Sequence, residues 1–272
     1  MKAAILAGGA GIRLRPLTYL YPKVMMPLGG KPLLEYTIDY LKSYGFDEVV
    51  LCVAYLRNRI REYFQDGRDF GVRISYAEAD QPLGTAGQLA TARKMLTETF
   101  LAMNGDILTS INLHNLMETH RKSGNAATIS LKSFNAEVPY GCVELDNAMN
   151  LTSFREKPTL TYLANAGLYA LNPSIFDHIK MSPVPVDLER EVFPEMIATG
   201  EKVAGYCEDA YWSHIGTVTD LEKTDKEMSA RNNQETAQLQ PVPGNPQRTN
   251  HKSNHLALSE LMTRALQHVP KE

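Results

Sequence analysis

The 272-residue sequence contains no apolar run close to the 18 residues that a membrane-spanning helix needs. Its apolar N-terminus, residues 1–7, is too short for a signal peptide and leads directly into glycines. Cysteine is scarce as well: Cys52, Cys142 and Cys207 lie far apart, without a CxxC spacing. A disulfide framework and a structural zinc site are therefore not expected. We expect a cytoplasmic protein with no membrane partner.

An excess of positive charge is also absent. The chain has 28 Lys and Arg against 31 Asp and Glu, a formal net charge of -3, so no nucleic acid partner is expected. Acidic residues are in turn missing from residues 1–34, which contain Lys2, Arg13, Arg15, Lys23 and Lys31. In a chain of negative net charge, this segregation predicts a local site for a polyanion of phosphate size.

Apolar runs of strand length alternate with helical patterns in the first half of the chain. We predict strands over 2–7, 48–54, 72–77 and 100–104, and helices starting near Pro32 and over 56–64 and 85–96. The alternation indicates a Rossmann-like, three-layer α/β/α domain with a mostly parallel sheet. Further strands over 126–134, 141–145, 151–156 and 163–171 predict an added mixed β layer. Ligands of such sheets bind at the carboxyl ends of the strands, here the loop after the first strand and the Asn104-Gly105-Asp106 turn.

The C-terminal region differs in composition from this body. A last helix is predicted to close a domain of residues 1–231, and 232–255 is rich in Gln, Asn, Pro and Thr, which is typical of a polar, disordered linker. Residues 256–269 carry apolar side chains at helical spacing and predict a short helix. This tail could pack on its own body or on a neighbouring subunit, so a homo-oligomer is left open.

The strongest local signal is the glycine-rich loop Leu6-Ala-Gly-Gly-Ala-Gly-Ile-Arg-Leu-Arg-Pro16. Glycines after a buried strand let the backbone approach a ligand and direct its amides toward an anion. The dinucleotide fingerprint GxGxxG fails, because Leu14 stands where its third glycine belongs. The Walker pattern GxxxxGK[ST] is absent too. A phosphate-binding loop of another type is therefore predicted.

The loop and its continuation through Pro22-Lys23 and Gly30-Lys-Pro32 resemble the signature of the sugar-phosphate nucleotidylyltransferases. Further motifs follow in the family's order up to about residue 231. They are Pro82-Leu-Gly-Thr-Ala-Gly87, Asn104-Gly-Asp106, Tyr140-Gly141, Glu156-Lys-Pro158, Asn165-Ala-Gly167 and Trp212-Ser-His-Ile-Gly-Thr217. The resemblance implies a nucleotidyltransferase domain that joins a nucleoside triphosphate to a sugar 1-phosphate and releases pyrophosphate.

The resemblance also implies roles for individual residues. Arg13 and Lys23 would be catalytic and contact the reacting phosphates, and Asp106 would be catalytic and bind Mg²⁺. The nucleotide would contact Leu6, Ala7, Gly8, Gly9, Gly11, Gly84 and Thr85. The sugar phosphate would contact Gly141, Glu156, Lys157 and Asn165.

One position departs from the family pattern. The second metal ligand of the family is usually an aspartate, and the matching residue here is His214, a poorer ligand for Mg²⁺. Three alternatives follow: the metal is held by Asp106 and phosphates alone, Mn²⁺ is preferred, or the protein is a sugar-nucleotide-binding regulatory subunit with little turnover. We take Asp106 and His214 as the candidate metal ligands.

The segment from Pro82 to Gly87 resembles that of mannose-1-phosphate guanylyltransferases, and Ala79 stands where pyrimidine-using relatives commonly carry a glutamine. Both features favour GTP, with mannose 1-phosphate or a related hexose or heptose phosphate. A glucose-1-phosphate thymidylyl-, uridylyl- or adenylyltransferase is the alternative enzyme.

Overall fold

The computed structural model describes residues 1–180, 182, 184–238 and 257–267. The strands are β1 Lys2–Leu6, β2 Pro27–Leu28, β3 Lys31–Pro32, β4 Glu48–Val53, β5 Arg73–Glu78, β6 Phe100–Asn104, β7 Ile107–Thr109, β8 Ala127–Glu137, β9 Cys142–Leu145, β10 Leu151–Arg155, β11 Thr159–Leu171, β12 Val203–Cys207 and β13 Trp212–His214. The helices are α1 Leu33–Ser43, α2 Arg57–Phe64, α3 Gly84–Thr91, α4 Leu113–Ser123, α5 Phe193–Ala198, α6 Val218–Gln238 and α7 Leu258–Gln267. None of the helices in these described ranges is long and apolar enough to cross a membrane.

The central sheet has seven strands in the order β12-β8-β11-β6-β1-β4-β5. All neighbouring pairs are parallel except the two that involve β11, which runs antiparallel to β8 and β6. The predicted mostly parallel sheet is thus confirmed. The carboxyl ends of β1, β4 and β6 lie side by side at one edge, because β1 pairs with both β4 and β6.

Helices cover both faces of this sheet. Side chains of β1 alternate between two apolar clusters, with Ala3 and Ile5 in one and Ala4 and Leu6 in the other. The first cluster packs against α1, α2 and α4, and the second packs against α3 and α5. A strand that is buried on both faces reads as a continuous apolar run, which is why residues 2–7 predict β1.

The middle of the chain differs in part from its prediction. β8 and β11 extend the central sheet, and only β9 and β10 form a separate two-stranded ribbon. Between Asn165 and Tyr169 the register of β11 against β8 shifts, and Gly167 occupies this bulge with φ of 74°. Strand pairing across such distances in sequence is set by the whole fold, so alternation alone could not assign β8 and β11 to the main sheet.

The C-terminal elements have different bounds from those predicted. Helix α6 continues to Gln238, so the first seven residues of the predicted linker are helical. Residues 239–255, where that linker was expected to be disordered, lie outside the described residues. Helix α7 falls within the range 256–269 predicted for a terminal helix.

Candidate active site

The glycine-rich loop leaves the carboxyl end of β1 and turns back over it. The backbone N–H of Gly8 donates a 2.7 Å hydrogen bond to Gln88 Oε1, and a Cβ at residue 8 would lie 2.9 Å from the same oxygen. At Gly11, φ is 60° and a Cβ would lie 2.8 Å from Thr18 Cγ2. The backbone conformation therefore favours glycine at residue 11, and a side chain at residue 8 would displace Gln88. Gln88 was not predicted; its position in α3, one residue after the Pro82–Gly87 motif, was the available signal.

Asp106, Lys23 and His214 meet at the carboxyl end of β6. Lys23 Nζ lies 2.5 Å and His214 Nε2 lies 3.3 Å from Asp106 Oδ2. Lys23 and Asp106 expose only 13% and 24% of their side chains. Burial raises the pKa of Asp106, but the hydrogen bond from His214 and the charge and hydrogen bond of Lys23 outweigh it and hold the pKa at about 2. Asp106 is therefore a carboxylate throughout the physiological pH range.

Backbone pairing fixes the position of these groups. Gly105 N–H donates to Leu6 O at 3.0 Å, which joins the turn after β6 to the end of β1. Strand β13 pairs antiparallel with β7, so that His214 faces Ile107, and Ile215 N–H donates to Asp106 O at 2.9 Å. His214 thus reaches Asp106 because the two strands that carry them are paired.

Arg13 lies on the exposed side of the same site. It is in the 3₁₀ turn Ile12–Leu14, and its Nη1 would lie 3.4 Å from a Cβ at Gly216. Within the described residues it forms no ion pair with a carboxylate. Its guanidinium is accordingly available to an anionic ligand beside the segment of His214 and Gly216.

A cavity of about 150 Å³ lies between the loop and the strand ends. Its lining contains the predicted residues Leu6, Ala7, Gly9, Lys23, Thr85 and Asp106, together with Val24, Gln88 and Asn104. The structure therefore brings four of the predicted nucleotide residues and the predicted catalytic residues Lys23 and Asp106 to one cavity. It leaves Gly8 and Gly11 in the loop that frames it.

A half-buried carboxylate links two sides of this site. Glu189 Oε1 accepts a 2.7 Å hydrogen bond from the Tyr169 hydroxyl, and Glu189 Oε2 accepts one of 2.7 Å from the Thr85 hydroxyl. Tyr169 also accepts from Asn165 Nδ2 at 3.0 Å. Burial, followed by the charge and hydrogen bond of Glu189, raises the pKa of Tyr169 far above its usual value, so its hydroxyl stays protonated.

The turn at Gly84 and Thr85 is held by the segment that precedes this carboxylate. Thr85 N–H donates to Asp187 Oδ1 at 3.0 Å, and Ala86 N–H donates to Val186 O at 2.9 Å. Gly84 has φ of 76°, and a Cβ there would clash with the Val186 carbonyl. Glu189 lies in a single π-helical turn, Leu188–Val192, a feature often found at functional sites. The sequence did not predict Glu189 as part of the site, because it lies 104 residues from Thr85 along the chain.

Asn104 presents a buried acceptor at the cavity. Its Oδ1 is buried and accepts no hydrogen bond from the described residues. Buried polar atoms nearly always have a partner, so a ligand with a hydroxyl or amide donor would satisfy this oxygen. The signal in the sequence was a polar residue at the end of an otherwise apolar strand.

The predicted sugar-phosphate residues lie mostly on the outer part of β8–β11. A Cβ at Gly141 would lie 2.9 Å from Glu156 Oε2, so these two residues are adjacent. Lys157 is exposed, makes no hydrogen bond or ion pair with a described residue, and has a φ of 44°. A non-glycine residue in the left-handed region is uncommon and marks a constrained position. Asn165 is the member that connects to the cavity, through Tyr169.

The donor set at Asp106 fits a magnesium ion through one carboxylate oxygen. Both side-chain contacts of Asp106 are made on Oδ2, and no described residue bonds Oδ1. Mg²⁺ commonly binds one or two protein carboxylates and takes its other ligands from phosphates and water. Among the described residues no cluster of three or more His, Cys, Asp or Glu could hold a metal ion. The protein would therefore supply few of the ligands.

Comparison with known proteins gives a consistent result. The model of the nucleotidyl transferase family matches residues 2–231. A UTP–glucose-1-phosphate uridylyltransferase from Synechocystis is 34% identical over 81% of this chain and 61% of its own length. A mannose-1-phosphate guanylyltransferase from Mycobacterium tuberculosis is 35% identical over 81% of this chain and 62% of its own. The chain thus spans about three fifths of the length of these curated relatives.

Solved structures share the fold. HddC from Yersinia pseudotuberculosis superposes with a TM-score of 0.66 at 24% identity, over 83% of this chain and 98% of that one. At this level of identity the likeness concerns the arrangement of helices and strands.

Proposed function

The chain belongs to the nucleotidyl transferase family, and on that premise we propose that it joins GTP to mannose 1-phosphate or a related hexose or heptose phosphate. The products are the nucleoside diphosphate sugar and pyrophosphate. We place this activity in a catalytic domain of residues 1–231.

The proposal rests above all on the pair of Lys23 and Asp106 in the cavity beside the glycine loop. A lysine within 2.5 Å of a carboxylate is held in one position, and its remaining N–H donors are available to phosphate oxygens. Arg13 adds a second cation at the exposed side of the cavity. Two neighbouring cations and the backbone amides of a glycine loop are what a triphosphate needs for binding.

In the reaction, an oxygen of the sugar phosphate attacks the α-phosphorus of the nucleotide. A new bond forms between these atoms, and the bond from the α-phosphorus to the bridging oxygen of the β-phosphate breaks. Pyrophosphate leaves with that electron pair, and no proton transfer is required. Positioning and charge neutralisation supply most of the catalysis in such a transfer.

The residues of this chain divide these tasks. Lys23 and Arg13 neutralise the charge that develops on the phosphates, and Asp106 keeps Lys23 in place. Mg²⁺, or Mn²⁺, when bound at Asp106 Oδ1, would supply further neutralisation of the phosphate charge. Lys157 binds the phosphate of the sugar phosphate, and Glu156, Gly141 and Asn165 contact its hydroxyls.

The choice of nucleotide is supported by relatives and by the Pro82–Gly87 segment. Mannose-1-phosphate guanylyltransferases of several organisms are 34–36% identical to this chain. The uridylyltransferase of Synechocystis is 34% identical, so UTP with glucose 1-phosphate is the second candidate. A regulatory sugar-nucleotide-binding protein is a third, favoured by His214 in place of an aspartate.

One panel of assays separates these candidates. Pyrophosphate release is measured with GTP, UTP, dTTP and ATP, each with mannose, glucose and heptose 1-phosphates, in Mg²⁺ and in Mn²⁺. We expect release with GTP and mannose 1-phosphate that is lost in Arg13→Ala, while Arg15→Ala serves as the matched surface control. Release with UTP and glucose 1-phosphate only would replace the substrates. Silence across the panel, with GDP-mannose still bound in calorimetry, would establish the regulatory protein.

A further inference from the structure

The C-terminal helix α7 is packed against the body through one face. Leu258, Leu261 and Ala265 follow each other at helical spacing, and Leu261 and Ala265 expose 1% and 0% of their surface. Leu266 is 69% exposed on the same helix. The helix is thus amphipathic, with its apolar side fully used in packing.

Part of the surface that this face packs against belongs to the loop that carries Arg13. The apolar cluster that contains Leu258, Leu261 and Ala265 also contains Leu14 and Leu17. The remaining buried members are Met26, Leu28, Leu33, Leu108, Ile215 and Leu221. We call this set the loop-side cluster. Leu14 and Leu17 are 1% and 2% exposed, so they are buried as completely as core residues.

Several members of the loop-side cluster are chain neighbours of charged residues in the site. Leu14 directly follows Arg13, and Ile215 directly follows His214. Met26 is three residues beyond Lys23, and Leu108 is two beyond Asp106. The cluster is therefore an apolar layer next to the charged groups, and α7 contributes three of its buried side chains.

Besides the packing in the loop-side cluster, hydrogen bonds hold the loop, among them one of 3.0 Å from Thr18 Oγ1 to Gly11 O. Residues 12–19 form two short 3₁₀ turns, with backbone bonds such as Leu14 N to Gly11 O and Leu20 N to Leu17 O. Such turns do not belong to a sheet or to a long helix, so their order depends on side-chain packing. The Tyr55 hydroxyl adds one bond to Thr18 O, at 2.7 Å.

We propose that α7 is a positioning element of the active site, which holds Arg13 and its loop in the catalytic conformation by packing its buried face into the loop-side cluster that contains Leu14 and Leu17. The role assigned to Arg13 rests on the proposed function, but the ordering of the loop does not. A chain in which α7 is undocked would keep its central sheet and lose the fixed position of Arg13.

The test uses the full chain with Leu261→Asp, and with Leu266→Asp as the matched control on the exposed side of α7. Amide hydrogen exchange is followed in residues 12–20, in α7 and in β1 and β6. We expect Leu261→Asp to speed exchange at least tenfold in 12–20 and in α7, with β1 and β6 unchanged. Leu266→Asp should match the wild type. Fast exchange in α7 with wild-type protection of 12–20 would overturn the proposal.

Kinetics give the second readout. Because Arg13 acts on the departing pyrophosphate, kcat should fall at least tenfold in Leu261→Asp, with a smaller change in the KM of the sugar phosphate. Leu261→Met, which conserves the volume of the side chain, should have the exchange rates and the kcat of the wild type. If Leu261→Asp does not fold, Leu261→Ala is used instead. In that variant too, faster exchange in α7 with an unchanged exchange rate in residues 12–20 would refute the proposal. If no protein, wild type included, releases pyrophosphate, the proposed function fails and the exchange data still decide the role of α7.

Discussion

Replacing His214 by aspartate probes how the charge of Asp106 is balanced. In the wild type, His214 Nε2 and Lys23 Nζ both contact Asp106 Oδ2. The variant removes one of these partners and adds a second carboxylate nearby. Two unit charges about 4 Å apart repel by about 4 kcal/mol at the effective dielectric constant of 20 that suits partly exposed pairs. The repulsion, together with the loss of the hydrogen bond from His214, should raise the pKa of one of the two carboxyls well above its ordinary value.

Magnesium should reverse this destabilisation. In EDTA, His214→Asp should melt about 8 to 16 °C below the wild type, since the repulsion is about 4 kcal/mol and each kcal/mol shifts Tm by about 2 to 4 °C in a domain of this size. A divalent ion at 100 times its Kd adds about 2.7 kcal/mol, which is of the same order as the repulsion. We therefore expect the Tm of His214→Asp to recover on titration with Mg²⁺, while the wild type responds little.

The assay is thermal unfolding in EDTA and over a series of Mg²⁺ concentrations, without substrate. His214→Asn is the matched control, because its amide can still donate to Asp106 and adds no charge. It should show neither the loss of Tm in EDTA nor the recovery in Mg²⁺. Two results would refute the reasoning: a Tm of His214→Asp that does not depend on Mg²⁺, or equal behaviour of the two variants. Either would mean that a carboxylate at residue 214 does not join Asp106 in binding the metal ion.

Three further predictions concern the same site. Arg13→Ala should lower kcat by about 10²–10³-fold, the usual cost of one transition-state donor, and should leave the Tm unchanged because this side chain is exposed. Steady-state pyrophosphate release measures kcat and KM, and a change in KM alone would contradict the role of Arg13 in the transition state. Glu189→Ala should lower the free energy of unfolding in urea by about 1–3 kcal/mol, since it leaves the buried Tyr169 hydroxyl without an acceptor. Because Glu189 also holds the Thr85 hydroxyl, the KM of the nucleotide should rise. An unchanged urea midpoint would argue against the link from Tyr169 through Glu189 to Thr85. The pKa of Asp106, about 2, lies below its ordinary value of 3.8, so the carboxylate stabilises the fold by about 2 kcal/mol above pH 4 and loses this contribution as the pH falls toward 2. Between pH 6 and pH 3 the free energy of unfolding of the wild type should therefore fall by about 1 kcal/mol more than that of Asp106→Asn. Equal losses in the two proteins would contradict the lowered pKa.

The sequence predicted best what is local along the chain. Strand β1 could be predicted because a strand buried on both faces is continuously apolar. The glycine loop could be predicted as a binding site because ligands of such sheets bind just after the carboxyl ends of the strands. The turn of Asp106 was readable for the same reason at the end of β6. The parallel arrangement then placed both at one edge of the sheet. The contact of Lys23 with Asp106 was not predicted, because Lys23 lies in a separate turn well beyond β1.

Contacts between distant segments could not be predicted in this way. Thr85 meets Glu189 across 104 residues, and Gly8 meets Gln88 across 80. Nothing in the local pattern of either segment specifies its partner, because such pairs form only once β1, α3 and the turn before α5 are packed together. Helix α4, whose mean composition is polar, was likewise missed because it buries only a narrow face through Leu113, Leu116 and Met117.

The bulge in β11 has a mechanical consequence. Residues 166–171 are fixed in the core, whereas residues 159–165 extend outward and lead to the turn of Glu156 and Lys157. That outer arm is about 20 Å long at the usual rise of a strand. A rotation of about 10° at the bulge around Gly167 would swing its tip by about 3 to 4 Å, more than a whole hydrogen-bond length. Gly167 in this bulge lies against Asn104 and Ile107, next to Asp106, so the position of the turn that carries Lys157 depends on packing beside the candidate cavity.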